Sequence, residues 1–455
     1  MFNIFEYLFK TSKNAVVYFI GIGGVGMYSL ARLALRAGAR VYGSERCEGA
    51  FAEDLSRRGC RIFIGHNEKN IPPDTDAVVY SHAISYDNPE LLAARERGIR
   101  TYSRSELLGL VMKEYKNRIG VSGTHGKSTV TGMIAHILNT LGFSPTAAVG
   151  APLANGLPFL EGGEEYLVYE ACEYRDSFLD VYPTTVVITN IELDHTDYFS
   201  SLEEYLSSFL KCISRAERTC VLNVDDPNVS SLLPLIEVDT ITVGAAESAT
   251  VSYSLYSFLT DGIIYSLSYN NSLLGRYKLN LLGEFNVMNA ALAIAAVQDY
   301  GIDPRDAAGA LESFRGVKRR CEAVGVRGTR TVYYDYAHHP TEIRAVINAL
   351  RMQAGAITVI FTPHTYTRTR DLWDDFVSAL SLADFVILTD IYAAREARIQ
   401  SVNSERLATA IGERATYSSP EKITAALDNK TYGDIVVMGA GENSDILAMI
   451  LSKNG

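Results

Sequence analysis

Cysteine is scarce and scattered in this sequence. Six residues (Cys47, Cys60, Cys172, Cys212, Cys220 and Cys321) are spread through 455 positions with no CxxC pair. That spacing excludes a disulfide scaffold and a zinc ribbon, and fits reduced thiols. Basic residues are also in deficit: 42 Lys and Arg against 53 Asp and Glu leave a formal net charge of -11. A nucleic acid or an anionic membrane is therefore not the main partner. No segment approaches the roughly 20 consecutive apolar residues of a membrane span. The opening MFNIFEYLFKTSKN lacks a basic region followed by an apolar run and a small-residue cleavage site. The expectation is a cytoplasmic protein. There is also no fixed-period repeat and no low-complexity tract.

What is present is a globular composition, 47% hydrophobic and 21% charged, in a chain too long for one ordinary core. Short apolar runs alternate with amphipathic segments, the pattern of an α/β protein. An acidic protein that binds an anion must gather donors locally, so glycine loops and single cations are the features to inspect. The first is FIGIGGVGMYSL, where an apolar strand (Val16 to Ile20) runs into Gly21, Gly23 and Gly26 and then a helical pattern. Glu45 stands about where a dinucleotide fingerprint places its ribose contact. On this loop alone, a nicotinamide-dependent oxidoreductase is one reading.

The second loop argues against it. In GVSGTHGKSTVTGMIAHILNTLG, a strand from Arg118 to Val121 leads into Gly123–Lys127 and an apolar-faced helix ending near Gly142. Strand, glycine loop and helix N-terminus aim backbone N–H groups and a positive dipole end at one point. Lys127 supplies a cation for the β- and γ-phosphates, and the Ser128 hydroxyl can join a Mg²⁺ shell. Val121 departs from the general phosphate-loop pattern, which has glycine there. The strand end YLVYEACE presents Glu170 and Glu173, and TVVITNIELDH presents Asn190, Asp194 and His195. Ser128, Glu173 and His195 together form a candidate metal set. A solvated glutamate and a structural histidine are the plain alternatives.

Ten segments then line up in order: GIGGVGM, SHAISYDNPE, GTHGKS, EACEYRDSF, NIELDHTD, GEFNVMNA, GVKRRCEAVG, DYAHHPTE, PHTYTRTRD and IYAAREA. Together they resemble the Mur ligases, ATP-dependent enzymes of peptidoglycan synthesis, over nearly the whole chain. The resemblance implies three domains. These are a Rossmann-like UDP-sugar domain (1–106), a central P-loop-type ATPase domain with a parallel sheet and a small β insert (107–315), and a Rossmann-like amino-acid domain (316–455). The insert is expected between Thr240 and Leu282. The resemblance also implies that Gly23, Gly24, Val25 and Gly26 cradle a UDP diphosphate, with Ser44, His66 and Ser81 nearby. ATP would be held by Gly123, Thr124, His125, Gly126, Lys127, Ser128 and Thr129, together with Asn286, Arg320 and Asp335. Tyr336, His338, His364 and Arg368 would receive the amino acid, and Lys127, Glu173, His195 and Arg368 would carry the catalysis.

PHTYTRTRD and DYAHHPTE point to the alanine-adding branch. That branch joins L-alanine to the lactyl carboxylate of UDP-N-acetylmuramate with ATP and Mg²⁺, here as a monomer or homodimer. Three departures stand out: Ser128 where threonine is common, Cys172 in place of an aspartate, and Cys321 in place of an aromatic. Lys211 is expected to be an ordinary surface lysine. A sibling that attaches a preformed peptide, and a catalytically silent nucleotide-binding paralogue, are the alternatives.

Overall fold

The apolar runs become buried strands because each is covered on both faces by helices. VVYFI at Val16–Ile20 is buried at all five positions, as are TCVLN at Thr219–Asn223 and ITVIF at Ile357–Phe361. The computed structural model describes residues 15–452 except 395, 430, 431 and 442. The opening segment inspected for a targeting signal thus lies outside the described residues. Three sheets organise the chain.

The first sheet is five-stranded and parallel, in the spatial order Arg61–Ile64, Arg40–Glu45, Val16–Ile20, Ala77–Tyr80, Arg100–Ser103. The strand order reverses on either side of Val16–Ile20. The glycine loop leaving that strand therefore opens at the switch point, where ligands collect in such sheets. The second sheet has Asn117–Ser122 between Tyr166–Glu170 and Thr185–Ile188, all parallel, followed by Thr219–Asn223 and Asp239–Gly244. The expected β insert is realised as Val251–Leu259, Gly262–Tyr269 and Ser272–Leu279. The third sheet is mixed: Glu322–Arg327 runs antiparallel to Arg330–Asp335, and the remaining neighbours, Asp434–Met438, Ile357–Phe361, Phe385–Leu388 and Ala415–Tyr417, are parallel.

The chain divides into two compact units. One comprises Met1–Tyr253, Leu267–Gly275 and Asn289–Phe314; the other comprises Ser254–Ser266, Arg276–Met288 and Arg315–Gly455. The first sheet and the parallel strands of the second, from Asn117 to Gly244, lie in one unit for a visible reason. Helix Arg104–Val111 straddles residue 106, and its Leu107, Leu108 and Val111 join one apolar cluster with Tyr28 and Leu30 on one side and Phe178 and Val181 on the other. Gly109 permits that approach, since a Cβ there would fall 2.1 Å from the Asp180 carbonyl oxygen. Among the described residues no helix is long and apolar enough to cross a membrane.

Candidate active site

Two glycines bend the second loop. Gly123 (φ 132°) and Gly126 (φ 84°) occupy backbone regions that side chains rarely adopt. Gly126 caps the helix Lys127–Thr140, and a Cβ on it would meet Asn289 Oδ1 at 2.9 Å. The neighbouring strand end pins the turn. Asn190 accepts from the His125 N–H (2.9 Å) and donates to the His125 carbonyl (3.0 Å), while Thr189 Oγ1 donates to the same carbonyl at 2.6 Å. The Thr124 hydroxyl donates to the Glu192 carbonyl at 2.9 Å. Thr129 is buried in the first helical turn. A loop held this way has little freedom left to lose when a phosphate docks.

Lys127 turns back across the loop. Its Nζ donates to Glu173 Oε1 and to the Thr124 carbonyl, both at 3.0 Å, and also to the Gly123 carbonyl. Burial pulls the ammonium down, but the neighbouring carboxylates, Glu173 first and Glu170 behind it, outweigh it and hold Lys127 above its ordinary value. Burial likewise opposes ionisation of Glu173, and Lys127 and His195 reverse that, so the carboxyl sits below its ordinary range. His195 Nε2 lies 3.4 Å from Glu173 Oε1. The second oxygen, Glu173 Oε2, is buried without a hydrogen-bond partner. An orphaned buried carboxylate oxygen beside a phosphate loop suits a divalent cation, whose ligands are oxygens.

Ser128 donates to Glu170 Oε2 at 2.7 Å, and that oxygen also accepts the Gly150 N–H at 3.0 Å. Glu170 is thus a working member of the site. Its strand-end position was readable in the sequence, but its partner 42 residues away was not. Cys172, in the aspartate's place, adds no charge at neutral pH because burial pushes its thiol up to about 11. Lys211 is exposed, as expected. The loop after Glu173 carries two successive left-handed residues, Arg175 (φ 53°) and Asp176 (φ 57°), and His195 (φ 55°) is a third nearby in sequence. Strain of this kind is retained where side chains must be aimed.

One N–H of the first glycine loop is taken up by its own chain. Glu45 accepts the Gly23 N–H at 2.8 Å, so the acid that a nicotinamide fingerprint would aim at a ribose folds onto the loop. Gly24 caps the helix begun by Val25, and Val25 and Gly26 line a cavity of ≈ 200 Å³. Ser44 and His66 come together below the sheet end, but around a residue the sequence reading missed. Glu90 is fully buried and accepts from Tyr18 OH (2.8 Å), Asn70 Nδ2 (2.8 Å), Asn67 N (3.1 Å) and Ser44 Oγ (2.5 Å). His66 Nδ1 is 3.1 Å away. Ser44 therefore spends its hydroxyl inside the fold, and Ser81 accepts the Ala83 N–H of its own turn. Glu90→Ala is expected to destabilise the protein by about 2–3 kcal/mol, because several buried donors lose one acceptor at once. Glu90→Gln should cost less, and comparing urea unfolding midpoints of the two variants checks this.

In the other unit, Tyr336, His338, His364 and Arg368 do gather. His338 and His364 have ring centroids 5.7 Å apart, and Arg368 Nη1 lies 3.1 Å from His364 Nδ1. Tyr392, which the sequence reading did not single out, stacks on His364 at 5.7 Å. Glu396 fixes the first turn of the arginine's helix by accepting the N–H groups of Tyr366 (2.6 Å) and Thr367 (2.9 Å). Asn286 donates to the Leu282 carbonyl at 2.7 Å. The Arg320 guanidinium lies 5.4 Å from the Tyr336 ring centre.

Asp335 accepts from the N–H groups of Cys321 (2.7 Å) and Ala337 (2.6 Å), and burial raises it to about 6 despite Arg320 and these two donors. A carboxyl raised on folding stabilises most at low pH. Its contribution is full below the unfolded value of 3.8 and lost as pH rises to about 6. Stability is therefore expected to fall by up to about 3 kcal/mol across that window. The corresponding slope should be missing in Asp335→Asn, as read by urea unfolding at pH 4 and 6.5.

Comparison with known proteins bears on all three sheets. The Mur ligase family, catalytic domain, matches residues 16–116; the Mur ligase middle domain matches 121–297; the Mur ligase, glutamate ligase domain, matches 319–441. The UDP-N-acetylmuramate–L-alanine ligase of Caldicellulosiruptor bescii is 40% identical over 96% of this chain and 98% of its own length. The enzyme of the same name from Clostridium acetobutylicum is 39% identical over 98% and 99%. Among solved structures, the UDP-N-acetylmuramate-alanine ligase of Thermotoga maritima superposes with a TM-score of 0.82 at 28% identity, covering 96% of this chain and 98% of that one. A murein peptide ligase from Psychrobacter arcticus shares the fold, with a TM-score of 0.74 at 24% identity over 96% and 98% of the two chains.

Proposed function

This chain belongs to the Mur ligase family, and from that premise we propose that it joins L-alanine to the lactyl carboxylate of UDP-N-acetylmuramate at the expense of ATP. The carrying observation is the full-length identity of about 40% to ligases of that name. It is set beside a phosphate loop whose lysine already contacts one strand-end glutamate, Glu173, and whose serine contacts the other, Glu170. The peptide-attaching alternative has the fold likeness alone on its side.

A free carboxylate and an amine do not condense in water, so the acid must first be activated. The lactyl carboxylate attacks the γ-phosphorus of ATP, giving an acyl phosphate and releasing ADP. The amino group of alanine then attacks the acyl carbon, loses a proton, and phosphate departs. The protein's share is positioning and charge neutralisation. Loop amides at the helix start, from Gly126 to Thr129, and the Lys127 ammonium face the transferring phosphoryl group. Ser128, Glu173 and His195 would hold Mg²⁺, which neutralises phosphate charge when bound. Arg368, with its planar fork, takes the alanine carboxylate. His338 and Tyr336 border the amine. Gly23, Gly24, Val25 and Gly26 carry the UDP diphosphate, and the enzyme acts in the cytoplasm as a monomer or homodimer.

The test is phosphate release by the full-length protein from ATP and Mg²⁺. Release is expected to require both UDP-N-acetylmuramate and L-alanine, and to stop on chelation of the metal. Glycine should be used less well by about tenfold or more, the usual value of one methyl in a fitted pocket. Release that follows a preformed tripeptide instead of alanine would reassign the chain to the sibling activity. Tight ATP binding without any release would mark it as silent.

A further inference from the structure

One cation near the first glycine loop has no role in the scheme above. Arg104 begins the helix Arg104–Val111, whose N-terminus is closed by a capping box between Ser103 and Glu106. Its side chain lies across Gly26: a Cβ built on that glycine would sit 2.9 Å from Arg104 Cδ and 3.2 Å from Nη1. It thus explains why glycine stands at the second position of the helix Val25–Arg36. Both residues line the ≈ 200 Å³ cavity, whose other wall holds Gly150, Glu170 and Cys172.

Arg104 is only partly exposed, and among the described residues its guanidinium makes no side-chain hydrogen bond or ion pair. The one carboxylate across the cavity, Glu170, is engaged by the Ser128 hydroxyl and the Gly150 N–H. Arg104 also acts electrostatically on two neighbours: it adds to the burial and the Arg175 charge that lower the His82 imidazole, and it offsets part of the burial that raises the Cys172 thiol. A partly desolvated arginine without an acidic partner, facing a cavity, is poised for an external oxyanion, which it can grip through two parallel N–H donors.

We propose that Arg104 is the cavity's anion-holding residue and receives an oxyanion of the UDP-sugar. The inference rests on the UDP-sugar reading of the first glycine loop. The cavity has that loop on one side and the Ser128 partner Glu170 on the other. Two oxyanions of the substrate could therefore lie at Arg104: its diphosphate, or the lactyl carboxylate awaiting phosphorylation. The chemistry is shared, and binding of two sugar nucleotides separates the sources.

Calorimetric titration of the full-length protein with UDP-N-acetylmuramate and with UDP-N-acetylglucosamine, which has the diphosphate but no lactyl carboxylate, is the experiment. Arg104→Gln is expected to weaken UDP-N-acetylmuramate by about 10- to 100-fold. An equal loss for UDP-N-acetylglucosamine assigns the diphosphate, and an unchanged value assigns the carboxylate. Arg104→Lys, which keeps the charge but not the fork, should fall between, and it decides the matter if the glutamine variant does not fold. Wild-type affinity in both variants, with unchanged unfolding midpoints, overturns the assignment alone. If the wild-type protein binds neither sugar nucleotide, the UDP-sugar reading fails and takes this assignment with it.

Discussion

Lys127→Ala is expected to lower substrate-dependent phosphate release by about 10³-fold or more, in the range found when a cation or donor facing a transferring group is removed. The lysine is half-buried and charged, held by Glu173 at 3.0 Å and by two loop carbonyls. On the proposed reading, docking of a triphosphate replaces those carbonyls with phosphate oxygens, and the ammonium then faces the group that moves. Alanine removes the charge and also leaves Glu173 without its cation. Arginine should not restore the rate, because a planar fork cannot replace a compact ammonium within the loop. UDP-sugar affinity should stay near wild type, since the first glycine loop is separately built. Single-turnover phosphate release with parallel binding titrations checks both parts. A variant keeping more than about a tenth of the rate would remove Lys127 from the chemistry.

Much of this site was legible because its signals are local. A glycine pair that needs left-handed backbone, a Lys-Ser pair opening a helix and an apolar strand before it all fall within a dozen residues, and the fold places them as read. Strand-end acids were legible for a related reason: in a parallel sheet the carboxyl ends share one edge, so Glu170, Glu173, Asn190 and His195 had to approach the loop. What escaped reading depends on partners distant in sequence. Glu90 collects Tyr18 from 72 positions away and Ser44 from 46. Nothing in NPE marks its glutamate as a buried hub. Ser44 was placed near the diphosphate by the family resemblance, and in the fold it is buried with its hydroxyl on Glu90. Arg104 was hidden by its helix start, where a charged residue reads as solvated. The register of Val16–Ile20 against Arg40–Glu45, and the packing of helix Arg104–Val111, decided these outcomes.

Glu173→Gln is expected to cut phosphate release by about 10²- to 10³-fold, and to raise the Mg²⁺ concentration needed for half-maximal rate. The substitution preserves shape while removing charge, so it separates the carboxylate's two duties. In the structure described here its Oε1 serves Lys127 and approaches His195, while its Oε2 is buried with no partner. An amide retains the first contact through its oxygen but places an N–H₂ where a cation's ligand should be. It also leaves Lys127 without its nearest negative charge in a buried setting, and breaking such pairs costs about 3–5 kcal/mol. The glutamine variant should therefore unfold at lower urea concentration than wild type, with Mg²⁺ and ATP recovering less of the loss than they add to wild type. Glu170→Gln is the control: it disturbs the Ser128 and Gly150 contacts but not the lysine pair. If Glu173→Gln loses stability while its magnesium dependence stays as in wild type, the residue is only the lysine's counter-charge. If both shift together, one carboxylate holds the lysine at rest and the metal in turnover. The orphaned oxygen is then explained by the ligand it awaits.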